Sequence, residues 1–291
     1  MANTERNTAR LLALAAAVLF STGGAGIKVE SFTAPQVSFV RSGLAAVALL
    51  LWLRGRVAWR PSAVGAGIVY AATLSLFVGA TKLTTAANAI FLQSAAPLYV
   101  LALAPFLLHE RTRRRDAVFL AVVGAGVLLC FLGRPAATST ASNPALGNWL
   151  GAASGLAWAL TLLTLRRIGR ADHAGNATVA AVIAGNAFAS GAAFPFALPL
   201  PVASVAEWAT LVYLGVFQIG LAYVCLTRAI RGLPALEVSL LLFLEPVLNP
   251  LWTWLIRGES PGGWTLVGGG IIISTTAIKA VNDARRAEDP A

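Results

Sequence analysis

The chain has 291 residues, of which 57% are hydrophobic and only 12% are charged, against about 25% charged in soluble domains. This composition excludes an ordinary soluble domain and is typical of an integral membrane protein. The net charge of +10 would suit a nucleic-acid partner, but the basic residues stand in short clusters between apolar runs, as in membrane loops, and no nucleic-acid-binding motif accompanies them.

Ten apolar runs can be marked along the chain, each near the ~20 residues that a spanning helix needs. The first run follows Arg6 and Arg10 and has the outline of a signal peptide. Because cleavage would leave nine runs and break the twofold division described below, we expect an uncleaved first helix. The runs cover residues 9–27, 34–53, 62–81, 86–108, 114–133, 147–165, 177–200, 205–227, 234–256 and 262–281.

The longest connection between runs, residues 134–146, is rich in Ala, Thr, Ser, Asn and Pro and falls near the midpoint of the chain. It divides the runs into two sets of five. We therefore predict an all-α integral membrane protein with ten transmembrane helices. Its parts are a first five-helix repeat at 1–133, an inter-repeat loop at 134–146, a second, inverted repeat at 147–281 and a cytoplasmic tail at 282–291.

The basic residues between the runs are distributed unevenly. With the N-terminus in the cytoplasm, 17 of them lie on the cytoplasmic side and four, Lys28, Lys82, Arg134 and Arg257, lie on the other. Since basic loops favour the cytoplasm, both termini are predicted there. The basic loops follow helices two and four in the first half but helices six and eight in the second. Together with the odd helix number, this predicts that the second copy is inverted.

Two of the runs are interrupted by proline at matching positions. Pro97 precedes Glu110 by 13 residues, as Pro246 precedes Glu259, and the two pairs are 149 positions apart. A proline leaves a carbonyl unpaired one turn back, so these helices should face other protein or a wet cavity. Paired interrupted helices in corresponding halves predict a transport site. The candidate break or gating positions are Pro97, Pro246 and Pro250.

These features resemble the EamA-type exporters of the drug/metabolite transporter superfamily. The resemblance is carried by PLYVLALAPFLLHE at Pro97–Glu110, EPVLNPLWTWLIRGE at Glu245–Glu259 and FVRSGLAA at Phe39–Ala46, and it spans essentially the whole chain. Within the superfamily the chain is most similar to the YddG-type exporters of aromatic amino acids. The resemblance implies ten helices in two five-helix halves and export of small metabolites. The first helix of each half lacks the Glu of the small multidrug-resistance members, which disfavours their proton-for-cation exchange.

Glu245 and Arg41 are the charged residues that fall well inside predicted spans. Placing a charged side chain inside the hydrocarbon core of a membrane is energetically costly, so such residues are first interpreted as functional. Glu245 could bind a substrate ammonium or carry a proton, or it could satisfy the backbone freed by Pro246. Arg41 could bind a substrate carboxylate, or it could pair with an acid or with carbonyls.

Other polar and aromatic residues could line the same cavity. Glu237, Glu245 and Asn249 recur at spacings of eight and four, so they share one helical stripe. Such a stripe is expected to face the bundle interior, either lining a cavity or bonding between helices. Aromatic residues could stack on a planar substrate, namely Phe20, Phe91, Trp158 and Tyr223. The full candidate set is Asn88, Gln93, Tyr99, Glu245, Asn249, Arg41, Trp158 and Tyr223, with Asn186 and Gln218 as weaker candidates.

We therefore predict an exporter of small metabolites, expected to be amino acids including aromatic ones, in a bacterial inner membrane. It would work by alternating access around a central cavity. The alternatives are an exporter of drugs or other metabolites, an integral membrane enzyme and a channel. The partners are a small-molecule substrate and the lipid bilayer, with no nucleic acid, and we expect a monomer. Cys130 and Cys225 both lie in apolar runs, so no metal site is predicted, and no cofactor is expected.

Overall fold

A computed structural model describes residues 2–54, 57–107, 114–132, 140–171, 176–233, 238 and 241–288. Glu110, Arg134 and Glu237, which the sequence analysis used, lie outside the described residues. The α-helices in the described ranges are α1 Ala2–Ser21, α2 Gly23–Ile27, α3 Ala34–Trp52, α4 Pro61–Leu83, α5 Ala86–Ser94, α6 Ala96–Leu107, α7 Arg114–Leu132, α8 Pro144–Ala171, α9 Asn176–Ala197, α10 Val205–Tyr213, α11 Ala222–Gly232, α12 Leu244–Arg257 and α13 Gly263–Glu288, and a π-helical segment, Leu214–Leu221, joins α10 to α11.

The described part of the chain is helical and strongly apolar. Seven helices in it are long and apolar enough to cross a membrane, and the shorter apolar helix Val118–Leu132 stands beside them. The chain is therefore a multi-pass membrane protein built from helices. The count of ten spans and the inverted repeat remain predictions.

The helices pack as a bundle in which partners come from distant parts of the chain. Helix α4 packs against α8 and α9, α3 packs against α9, α7 packs against α13, and α1 packs against α11. Glycine permits the closest of these crossings, as expected for helices in lipid. A Cβ built on Gly268 of α13 would lie 2.5 Å from the carbonyl oxygen of Gly126 on α7, so the two backbones touch.

Both proline-marked helices are interrupted where the sequence indicated. Helix α5 ends at Ser94 and α6 begins at Ala96, which places Pro97 in the first turn of α6. Helix α12 begins at Leu244, so Pro246 also lies in a first turn. A first-turn N–H has no partner within its helix, so proline is tolerated there. Pro250 lies inside α12 and cannot donate a backbone hydrogen bond to it.

Two further irregularities were not anticipated from the sequence. The first span breaks at Thr22, between α1 and the short helix α2. The apolar span Val205–Ala229 widens into the π-helical segment Leu214–Leu221. Segments of π-helix inside α-helices are rare and frequently lie at functional sites.

Candidate functional site

A cavity of about 170 Å³ lies near the middle of the bundle, where the interrupted helices meet their neighbours. Since one water needs roughly 10–15 Å³ of such volume, the cavity can hold on the order of ten waters or a small solute. Both halves of the chain contribute to its wall. The lining residues are Phe20, Arg41, Tyr70, Thr73, Leu74, Phe77, Ile90, Gln93, Ser94, Trp158, Gln218, Ile219, Tyr223, Leu226, Leu242 and Glu245.

Two opposite charges face this cavity. Arg41, on α3, is 3% exposed, and Glu245 stands in the first turn of α12. The two side chains are close enough to interact electrostatically, yet within the described residues they form no direct ion pair. The Nε and Nη1 atoms of Arg41 have no hydrogen-bond partner in the described part of the chain. The cavity therefore has a buried cation and an acid in its wall.

Aromatic rings form one wall of the cavity. The hydroxyls of Tyr70 and Tyr223 are hydrogen-bonded at 2.7 Å. Tyr223 also meets Phe20 edge-on with ring centroids 5.3 Å apart, and Tyr70 lies 6.3 Å from the ring of Trp158. Because edge-to-face and tilted rings at these separations attract one another, the wall is held in a defined shape.

The cavity's amide and hydroxyl groups belong to hydrogen bonds between helices. Gln93 donates to the hydroxyl of Ser154 at 2.7 Å, and Ser154 donates to the carbonyl of Thr73. Gln218, in the π-helical segment, donates to the carbonyl of Phe20 at 3.3 Å. The Oε1 atom of Gln218 has no partner among the described residues. These bonds fix the side chains that a polar solute would meet.

Five of the eight residues proposed from the sequence as cavity candidates line this cavity. They are Arg41, Gln93, Trp158, Tyr223 and Glu245. The weaker candidate Gln218 and the aromatic Phe20 line it as well, whereas the weaker candidate Asn186 and the aromatic Phe91 are not among the lining residues.

The other three candidates lie elsewhere in the bundle. Asn88 is fully buried in a hydrogen-bond network: it donates to Asn148 at 2.9 Å and accepts from Thr265 at 2.6 Å. Tyr99 stands beside Gly155 of α8, and Asn249 closely approaches Gly24 of α2. All three sit on the interrupted helices, but their side chains turn towards neighbouring helices and away from the cavity lining.

Sequence reasoning missed Tyr70, Thr73 and Ser94, which also line the cavity. Tyr70 is buried near the middle of α4. Tyr is expected in the interfacial belt at the membrane surface, so a Tyr near the middle of a spanning helix is the signal that could have identified it.

A second, larger cavity of about 320 Å³ adjoins the first and shares Trp158, Tyr223, Leu226 and Leu242 with it. Its other lining residues include Trp52, at the last residue of α3, and Thr178, in the first turn of α9. Those helix ends are the ones predicted to be cytoplasmic. The two cavities together thus extend from the middle of the bundle towards that end.

The opposite end of the bundle is closed by a buried ion pair. Lys28 and Glu259 meet at 2.5 Å, with their side chains only 2% and 6% exposed. Lys28 also donates to the carbonyls of Thr84 and Thr140, and Glu259 accepts from the backbone N–H of Ala86 at 2.7 Å. Burial lowers the pKa of Lys28, and the nearby carboxylate of Glu259 opposes that shift. The pair joins the end of α2 to the loop before α13.

Comparisons with known proteins agree with this architecture. The profile of the EamA-like transporter family matches the chain twice, at residues 7–132 and 145–279. The pseudopaline exporter CntI of Pseudomonas aeruginosa, in two strains, is 29% identical over 275 residues, which are 90% of this chain and 92% of that protein. A solved crystal structure with 21% sequence identity superposes with a TM-score of 0.63 and covers 96% of this chain and 97% of its own. That likeness concerns the fold alone.

Proposed function

This chain belongs to the EamA-like transporter family, and we propose that it exports amino acids or closely related small metabolites across the bacterial inner membrane. It is a transporter and not an enzyme, and it is related to the pseudopaline exporter CntI. The observation that carries the substrate proposal is the central cavity, which places Arg41 and Glu245 around a space of small-solute size. A substrate with both charges is the simplest occupant of such a wall.

The mechanism we propose is alternating access by two inverted five-helix repeats. Two observations support it. The family profile matches once in each half. The helix contacts are also consistent with two equivalent halves. When the helices of one half are matched in order with those of the other, the contact of α4 with α8 is matched by the contact of α11 with α1. The contact of α7 with α13 joins two equivalent helices and is therefore matched with itself. Inverted repeats that rock about a site between them are a common plan of secondary transporters.

A second candidate cargo is pseudopaline or a molecule like it. The relative CntI is named as a pseudopaline exporter and aligns along 90% of this chain. The larger cavity beside the central one would give such a cargo more room. Pseudopaline therefore belongs in any panel of test solutes.

The proposal is tested by solute flux in liposomes that contain the purified protein. We expect saturable movement of at least one amino acid, measured with a panel of labelled amino acids and pseudopaline, each with and without a pH gradient. Protein-free liposomes are the control. If pseudopaline moves and no amino acid does, the second cargo replaces the first. If no solute of the panel moves saturably under any condition, the proposal is wrong.

A further inference from the structure

The guanidinium of Arg41 is the most conspicuous unsatisfied group in the described part of the chain. It is 3% exposed, and its Nε and Nη1 atoms lack hydrogen-bond partners there. A guanidinium carries five N–H donors in a planar fork, and a buried charge is costly unless it is paired. Arg41 lines the cavity, so a solute there can offer acceptors to its guanidinium, although the Nε and Nη1 atoms are themselves buried.

Glu245 supplies the opposite charge on the same wall, but it does not satisfy Arg41 directly. The two side chains interact electrostatically without forming a direct ion pair within the described residues, and the cavity of about 170 Å³ lies between the elements that carry them. A solute that carries an anionic and a cationic group on the same carbon, as an α-amino acid does, could interact with both side chains at once.

We propose that Arg41 binds the carboxylate of a zwitterionic substrate while Glu245 receives its ammonium group. Arg41 is then the residue that selects an amino acid over an analogue in which the carboxylate is missing. This inference rests on the proposed export function and adds the chemistry by which the cavity recognises its substrate. A guanidinium binds a carboxylate through two parallel hydrogen bonds in one plane, so the contact depends on the orientation of the substrate as well as on its charge.

The remainder of the wall suits an uncharged side group. Leu74, Ile90 and Ile219 provide apolar surface, and the ring of Trp158 stands beside them. The amides of Gln93 and Gln218 are already engaged with other helices, so they are held in place. The described lining contains no charged residue besides Arg41 and Glu245. The charged head of the substrate therefore has one orientation in which both of its groups are paired.

The test compares three molecules that share one side group: the transported amino acid, its amide and its deamino acid. If leucine is transported, these are leucine, leucinamide and 4-methylpentanoate. Each competes with the labelled amino acid for flux in liposomes. We expect the wild-type protein to prefer the amino acid over the amide by about tenfold or more, because a hydrogen bond to a charged group is worth roughly that factor. In Arg41→Gln this preference should fall to about one.

Two control variants separate recognition from folding. Arg54→Gln removes the same charge from an exposed residue just beyond α3 and should leave the preference unchanged. Arg41→Lys keeps the charge without the planar fork and should retain part of the preference; if Arg41→Gln does not fold, this variant decides.

Glu245→Gln should reduce the preference for the amino acid over its deamino acid, which bears no ammonium.

The outcomes distinguish the two proposals. If the wild-type protein moves no amino acid, the substrate proposal fails and this inference fails with it. If the wild-type protein moves an amino acid, but the folded Arg41 variants discriminate between acid and amide as the wild-type protein does, the export function stands and the role of Arg41 is overturned.

Discussion

At the scale of single residues, polar side chains inside the bundle occur in two kinds of surroundings. Around Asn88 they are mutually satisfied: Asn148 and Thr265 bond to it, and Thr84 bonds to Asn148 at 2.7 Å. Around the cavity, the Nε and Nη1 atoms of Arg41 and the Oε1 atom of Gln218 have no partners among the described residues. Satisfied networks hold helices together, whereas residues that line a cavity and keep unpaired polar atoms are candidates to bind a solute.

Replacing Asn88 by Ala should therefore reduce stability and leave substrate discrimination unchanged. The variant leaves Thr265 and Asn148 each with one fewer partner in a buried site, at a cost of about 1–2 kcal/mol for hydrogen bonds between membrane helices. The measurement is the melting temperature in detergent, with Asn7→Ala, an exposed position on α1, as the control. An unaltered melting temperature together with altered substrate preference would place Asn88 in the transport site instead.

The sequence was sufficient to find the charged cavity residues but not to orient every polar one. Arg41 and Glu245 stand out because a charge within a span is costly unless it faces protein or water. Asn88 and Asn249 lie on the interrupted helices too, and periodicity says only that such residues avoid lipid. Whether they meet a cavity or another helix depends on tertiary packing, which the pattern of one helix does not contain.

At the scale of helices, close approach of backbones determines how tightly the bundle can pack. Gly126 and Gly268 bring α7 and α13 into backbone contact, because a Cβ on either would lie within 3 Å of the other helix. Gly270, two residues further along α13, has no atom within 4 Å of such a Cβ. Helix α13 therefore contains one glycine whose replacement by Ala should disturb packing and one whose replacement should not.

Gly268→Ala should destabilise the protein, and Gly270→Ala should not. The first change forces α13 away from α7 or strains the crossing, at about 1–3 kcal/mol for overpacking. The second replaces glycine by a better helix former and should be neutral or stabilising by up to about 1 kcal/mol. Thermal unfolding of both variants in the same detergent makes the comparison. Equal loss of stability would show that the crossing does not need glycine at position 268.

The helix breaks show where local chemistry predicts geometry and where it does not. Pro97 and Pro246 mark interruptions because proline lacks an N–H and is best placed in a first turn, and both breaks lie where they were expected. The π-helical segment Leu214–Leu221 has no proline. It packs against α3, and no short sequence signal announces it.

At the scale of the whole molecule, the two ends of the bundle differ. The cavities extend towards the end where α3 finishes and α9 starts. The other end is closed by the ion pair of Lys28 with Glu259, which links the two halves of the chain. Removing one partner of a buried ion pair leaves an uncompensated charge and is strongly unfavourable. Under alternating access, this pair must separate each time the cavity opens towards the Lys28 end.

The central claim, that one cavity is reached from each end in turn, is tested most directly by thiol labelling. Ser94 lines the cavity, so Ser94→Cys in a chain whose Cys130 and Cys225 are replaced by Ala provides the probe. A membrane-impermeant thiol reagent is applied to intact cells, from the predicted external end that carries Lys28.

We expect slow labelling when the ion pair is intact and several-fold faster labelling in Lys28→Gln or Glu259→Gln. Lys82→Gln removes a neighbouring lysine that bonds to the carbonyl of Val29, and it should leave the rate unchanged. Labelling that stays absent from this end in every folded, transport-active variant would contradict a cavity that opens alternately to both sides.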